Sequence, residues 1–233
     1  MLKPTLTPRL KTIAELINNS EKTADIGTDH AYLPVYLISS GKCSSAIASD
    51  IRTGPLKRAE ATLKKYNMSG HIELRLGAGL ETVTASDKVD TIVIAGMGGL
   101  VISDIITSSI EIVRAAKQII LQPMTMAPQL RKFLYHSALG TIDEYLSFED
   151  KKIYNIISVK IDSEAEPIEL TAAEAFVGKS LIESKPNGFE SYLSSLAKKL
   201  KNQISGLRNG SGAETEKKLK NAEILLSEIK NIH

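Results

Sequence analysis

The sequence predicts an α/β protein: an open, mostly parallel sheet closed by an antiparallel hairpin, followed by an added helical domain. Three observations predict it. From Thr23 to Gln122 short strand-like runs alternate with segments of helical spacing. Two further strand-like runs, Glu144 to Glu149 and Ile153 to Val159, are separated by only a few charged residues and read as a hairpin. Beyond Asp162 only helical periodicity remains.

Composition bounds what this chain can be. At 233 residues and 42% hydrophobic it can bury one good core and a small appendage. Its longest apolar runs, such as Thr91 to Ala95 and Ile119 to Leu121, are too short to span a bilayer, and the start lacks the charged-then-apolar pattern of a signal peptide. A cytoplasmic protein with no membrane partner is expected. Cys43 is the single cysteine, which excludes an internal disulfide and a cysteine-built metal site, and no metal is expected. With 29 basic and 27 acidic residues the formal charge is +2, so any RNA-binding surface must be local.

Thr7-Pro8 reads as a helix start, with Leu10, Ile13, Ala14 and Ile17 at helical spacing and Arg9 placed either to reach over a site mouth or to lie solvated. The first strand then runs from Thr23 into Gly27. A glycine there takes a positive φ and admits a ligand to the backbone, while Asp25 leaves a carboxylate at the strand tip. The alternative is an ordinary turn capped by Asp29. After an apolar helix face, Leu33 to Ile38, the second strand, Ser44 to Asp50, ends on an acid where nucleotide-binding sheets place the acceptor for a ribose diol. Asp50 also suits the N-cap of the next helix, Pro55 to Tyr66.

The third strand, Ile72 to Leu76, stops at Gly77-Ala78-Gly79-Leu80, and the fourth, Val89 to Ala95, runs into Gly96-Met97-Gly98-Gly99. Both turns fall at carboxyl ends of strands, where ligands settle. A fifth strand, Gln118 to Gln122, ends in Pro123, and Pro128 to Ser137 reads as a helix. After the polar connector Glu164 to Pro167, Phe189, Leu193, Leu196, Leu200 and Ile204 recur at helical spacing, as do Leu219, Ala222, Leu226 and Ile229, with Asn209 to Gly212 between the two series. They predict a helical hairpin close to a short antiparallel coiled coil. Domains are expected at 1–163 and 164–233. The hairpin carries lysine clusters, Lys198, Lys199, Lys201 and Lys217, Lys218, Lys220, which read either as solvated helix faces or as phosphate contacts.

The succession Asp25-Ile26-Gly27-Thr28-Asp29-His30-Ala31-Tyr32-Leu33-Pro34, Gly54-Pro55, Arg75-Leu76-Gly77-Ala78-Gly79-Leu80, Ile94-Ala95-Gly96-Met97-Gly98-Gly99 and Leu121-Gln122-Pro123 resembles the bacterial TrmK family across nearly the whole chain. The resemblance implies a Rossmann-like class I methyltransferase sheet with a C-terminal helical, coiled-coil-like domain. It implies S-adenosylmethionine-dependent methylation of N1 of adenine 22 in the D-arm of tRNA. It also implies that Asp25, Gly27, Thr28, His30, Asp50, Ile51, Gly77, Ala78, Gly79, Leu80, Ala95, Gly96 and Met97 hold the cofactor. Arg9, Gly98, Gly99, Gln122 and Pro123 would then hold substrate, with Asp29, Arg9 and His30 catalytic. Two positions depart from the family pattern: Asp50 stands where Glu is frequent, and Met124 stands where Asn often follows Gln-Pro.

Adenine N1 is already a lone-pair nucleophile, so the residues must mainly orient it, and a carboxylate such as Asp29 would favour the positive charge that attack places on the ring. Arg9 is suited to a phosphate. N1 is hidden in a paired adenine, so the implied substrate nucleotide is accessible or flipped. Two other classes are weighed. A nicotinamide-dependent oxidoreductase needs the G-x-G-x-x-G spacing that Gly27-Thr28-Asp29-His30 lacks. A non-catalytic RNA-binding or assembly protein on the same fold is the other. The helices are compatible with a monomer or with a weak dimer through their apolar seams.

Overall fold

A computed structural model describes residues 3–232. By its contacts the chain divides into two compact units, the first ending at Ile168 and the second beginning at Glu169.

The first unit is a seven-stranded sheet in the order β3-β2-β1-β4-β5-β7-β6. Its strands are β1 (Ser20–Ile26), β2 (Cys43–Asp50), β3 (Ile72–Leu76), β4 (Thr91–Gly98), β5 (Gln118–Thr125), β6 (Gly140–Glu149) and β7 (Lys152–Ile161). The first five pair in parallel; β7 pairs antiparallel with both β5 and β6. The sequence order reverses between β1 and β4, which sit side by side, so their carboxyl ends form the crevice that such sheets offer a ligand.

The helices are α1 (Pro8–Leu16), α2 (Tyr32–Ser39), α3 (Thr53–Tyr66), α4 (Gly99–Ser108), α5 (Ile110–Ala115) and α6 (Ala127–His136). Strand alternation sorts the core to both faces of the sheet. Ile92, Ile94, Ile119 and Leu121 pack with Ile102 and Ile106 of α4 and Leu130 and Leu134 of α6. Val93 and Ile120 point the other way, onto Ile13 of α1, Ile17 just after it, and Leu33 and Leu37 of α2. Cys43 is a buried filler in that second layer. Arg131 of α6 and Glu144 of β6 form a buried ion pair, Nε to Oε2 at 2.9 Å.

Two expected strand ends are corrected. β4 continues through Gly96 and Met97 to Gly98, and β5 continues past Pro123 to Thr125. The ladder survives the glycines through register shifts between Ala95 and Met97 and between Met97 and Gly98, with Gly96 at φ +80. That is a bulge, which places the extra residue toward the site instead of ending the strand.

The second unit contains α7 (Ala172–Val177), α8 (Lys179–Ser184), α9 (Phe189–Leu207) and α10 (Ala213–Lys230). Thr171 and Glu174 form a reciprocal capping box at the start of α7. α9 buries Phe189, Tyr192, Leu193, Leu196, Leu200 and Ile204, and α10 packs back along it with Ala222 and Ile229 buried. Arg208 and Glu223 bridge the pair at 2.7 Å.

Candidate active site

The ends of β1 and β4 open onto a cavity of about 420 Å³ bordered by Arg9 and Leu10 of α1, the segment from Gly27 to Leu33, and Asp25, Ala95 and Gly96. That volume falls in the range of small-molecule sites. Gly27 sits at φ +79, and the Met97 side chain occupies the place a Cβ would take. Both the Gly27 and Thr28 N–H groups donate to the Ser49 carbonyl at 2.8 Å, which ties the turn to the end of β2. Burial pushes the Asp25 carboxyl up to about 6, against a hydrogen bond from Thr28 that lowers it.

Asp29 does not cap α2. The Thr28 hydroxyl takes the Ala31 N–H at 3.1 Å instead, and Ala31 adopts a left-handed φ of 54. Exposed Asp29 is held by Arg58 of α3, whose Nε donates to Oδ1 at 3.0 Å and whose Nη2 also reaches Oδ1. His30 Nε2 lies 3.5 Å from the other Asp29 oxygen, and its ring stacks on Tyr32 at 5.1 Å. Arg58 is a residue the sequence did not single out; a surface arginine in an amphipathic helix carries no local mark of its partner.

Asp50 is nearly buried, and its Oδ1 accepts the Arg52 N–H at 2.8 Å. It therefore holds the loop before α3, while Oδ2 makes no bond among the described residues. Beside it Ile51 and Leu76 are exposed by 67% and 58%, an apolar pair open to solvent at the sheet edge. Gly77 donates its N–H to the Asp50 carbonyl at 3.1 Å, and Ala78 precedes a short 3-10 turn, Gly79–Thr82, with Gly79 at φ +50. Leu80 differs from expectation: its side chain is 1% exposed and anchors that turn in the core.

The glycine run divides by role. Gly96 faces the cavity beneath Arg9, where a Cβ would meet Nη1 at 3.7 Å. Gly98 instead faces Thr125, and a Cβ on Gly99 would strike the Met126 carbonyl, so these two serve the close approach of β4 and α4 to the end of β5. Gln122 also departs from a direct substrate contact. It is 0% exposed; its Oε1 accepts from Arg9 Nη1 at 2.6 Å and its Nε2 donates to the Pro123 carbonyl at 2.9 Å. Met124, half exposed, turns its sulfur toward Arg9 Nη1 and Gln122 Nε2, at 3.8 and 3.5 Å. The Arg9 guanidinium lies over the Tyr154 ring, 5.2 Å from its centre.

Among the described residues there is no group of three or more His, Cys, Asp or Glu side chains that can hold a metal ion, and no helix is long and apolar enough to cross a membrane. The site does fit an adenosyl amino acid. Asp25 and the Gly27 turn line the cavity, and on the neighbouring β2 and β3 ends, outside that lining, stand an open carboxylate oxygen of Asp50 and the exposed apolar side chains of Ile51 and Leu76.

Five parallel strands closed by an antiparallel pair, with a glycine turn after β1 and an acid at the end of β2, are the setting of a class I methyltransferase, and residues 6–157 match the family model described as "Methyltransferase domain". Over 183 residues the chain is 38% identical to the tRNA (adenine(22)-N(1))-methyltransferase of Bacillus subtilis strain 168, covering 77% of this chain and 76% of that relative. The crystal structure of the B. subtilis enzyme, TrmK, superimposes with a TM-score of 0.83 at 30% identity over 98% of each chain. M. capricolum TrmK, solved in complex with S-adenosyl-homocysteine, superimposes with a TM-score of 0.77 at 29% identity over 97% of each chain. The chain belongs to the tRNA (adenine(22)-N(1))-methyltransferase family.

Proposed function

We propose that this protein is an S-adenosylmethionine-dependent methyltransferase that methylates N1 of adenine 22 in the D-arm of bacterial tRNA, acting in the cytoplasm. The observation that carries the reading is the cavity at the β1/β4 crevice in a chain whose identity to a tRNA (adenine(22)-N(1))-methyltransferase extends over most of its length. The cofactor supplies an electrophilic methyl group on a sulfonium. Asp25 and the Gly27 turn face its amino-acid end, Asp50 takes the ribose diol, and Ile51 and the Gly77 to Gly79 turn border its adenine.

The protein's own work is orientation, which can be worth about 7 to 11 kcal/mol at best. Gly96 leaves the backbone bare beside the point where base and cofactor meet. Asp29 places a carboxylate at the mouth, held by Arg58, where it favours the positive charge developing on the base. His30 is oriented by Asp29 and by its stack on Tyr32. The domain at 164–233 is the accessory element, whose lysines give tRNA phosphates a place to rest.

The test is incubation with S-adenosylmethionine and unmodified tRNA transcripts, followed by digestion, mass spectrometry of nucleosides and mapping of the modified position. The expected product is 1-methyladenosine at position 22. Methylation at another base, or none on competent transcripts, would overturn the reading.

A further inference from the structure

The turn that borders the adenine on the reading above is held from outside the cavity by Arg75, the penultimate residue of β3. All five N–H groups of its guanidinium are used. Nε and Nη2 donate to the two Glu73 carboxylate oxygens at 2.9 and 2.7 Å, and Nη1 and Nη2 each donate to an Asp87 oxygen at 2.7 Å. The last hydrogen, on Nη1, goes to the Thr82 carbonyl at 2.6 Å. Forks on two carboxylates fix a guanidinium in plane as well as in place.

The partners differ in weight. The Glu73 side chain is 59% exposed, so its share is small, whereas the Asp87 side chain is 11% exposed. Asp87 also accepts the Thr84 N–H and hydroxyl at 2.8 and 2.9 Å, and the arginine beside it holds its carboxyl well below the usual carboxylate range. Arg75 thus stands just before the Gly77-to-Thr82 segment and grips what comes after it. Between those points the Gly77 N–H bonds to the Asp50 carbonyl and Leu80 is sunk in the core, but Gly77 and Gly79 leave the intervening backbone free to turn. Released at its far end, the segment has more conformations to lose when a ring is laid against it.

We propose that Arg75 is a positioning residue for the adenine end of the cofactor: gripped by Asp87, it holds the Gly77-to-Thr82 turn in the form that a purine ring meets. It touches no ligand itself. The inference rests on the cofactor reading but concerns a residue outside the cavity, and it predicts a loss confined to ligands that carry the base.

Ligand-observed NMR titration tests it with S-adenosylhomocysteine and with S-ribosylhomocysteine, which keeps the amino acid, thioether and ribose and lacks the adenine. The native protein should prefer the adenine-bearing ligand. Arg75→Met should cut that preference about 10-fold, the worth of a charge-assisted pair. It should still bind S-ribosylhomocysteine within about 2-fold of the native protein, which also reports that the variant is folded. Arg75→Lys, a point charge that cannot fork, should keep only part of the preference, and Glu73→Gln should stay within about 2-fold of native. Asp87→Asn, which keeps an acceptor for Thr84, should show the same selective loss at about 3-fold, and it carries the test if Arg75→Met does not fold. In turnover by these variants the KM for S-adenosylmethionine should rise with kcat unchanged. Equal weakening of both ligands would make Arg75 merely structural, and an unchanged preference would leave the turn without need of it; either result overturns the proposal. A native protein with no preference for the base-bearing ligand would overturn the adenine placement and the proposal with it, whereas one that binds neither ligand would overturn the cofactor reading itself.

Discussion

A Cβ on Gly27 would meet Met97 Cε, the free end of a flexible side chain on β4, so Met97 would have to shift to admit a side chain at the β1 turn. Gly27→Ala meets two obstacles, that contact and a φ of +79. It should cost about 1 to 3 kcal/mol in chemical denaturation and weaken S-adenosylhomocysteine binding at least about 10-fold, roughly 1.4 kcal/mol. Met97→Ala in the same chain relieves only the first obstacle, so stability should be recovered in part.

Asp25 ties the site to pH. Its folded-state carboxyl is raised to about 6 by burial, so the folded protein binds that proton more tightly than the unfolded chain does. The group therefore imposes no penalty below its unfolded value near 4, and an increasing one as pH rises through about 6. Asp25→Asn should be more stable than the native protein at pH 8, by at most about 3 kcal/mol, and no more stable at pH 4. Thermal melts across that range check it. The same variant should bind S-adenosylhomocysteine more weakly at pH 8.

Asp29 and Arg58 form an exposed pair, so its removal should change stability by less than about 1 kcal/mol. Its consequence is for turnover. Asp29→Ala should abolish methyl transfer while leaving cofactor affinity within a few fold, and Arg58→Ala should lower kcat by a smaller factor with KM for the cofactor unchanged. Unaltered turnover in Asp29→Ala removes this carboxylate from the mechanism.

The Arg131 and Glu144 pair is enclosed between α6 and the sheet, with both side chains at most 1% exposed. Burial raises the Glu144 carboxyl, opposed by the arginine beside it. Arg131→Met alone leaves a buried carboxyl without its cation and should cost about 3 to 5 kcal/mol; Arg131→Met with Glu144→Leu should restore most of that. Urea midpoints of the two variants measure the difference.

The strands and the hairpin were legible because each has its own local signal: β-branched runs, period-two alternation, and glycine at the ends. The places of Asp25, Gly27 and Asp50 were legible for the same reason, since each stands at or next to a strand tip. α4 was not recognised as an element, because Leu100, Val101, Ile102, Ile105 and Ile106 leave little polar contrast for a helical period to show. The continuation of β4 past Ala95 depends on a bulge whose partner is β5, and nothing within Gly96 to Gly98 announces that partner. Arg58 beside Asp29, Tyr154 beneath Arg9 and the burial of Gln122 are relationships between segments distant in sequence. A single chain read without alignment carries no mark of them. Leu80 illustrates the converse: its place in a ligand-facing turn was readable, but the direction of its side chain was set by the core beneath.

The cavity's Arg9 wall is braced from the other end of the first unit. Arg9 stands before the first strand, and its ring partner Tyr154 lies on β7, the last strand made. At translation speeds of roughly 5 to 20 residues per second, the ribosome needs on the order of 7 to 30 s to deliver Tyr154 after Arg9. A nascent chain can pair β1 to β4 well before then, but it cannot finish the site. Adenosyl ligands would therefore act late in synthesis, rewarding only chains whose sheet has already received its closing hairpin.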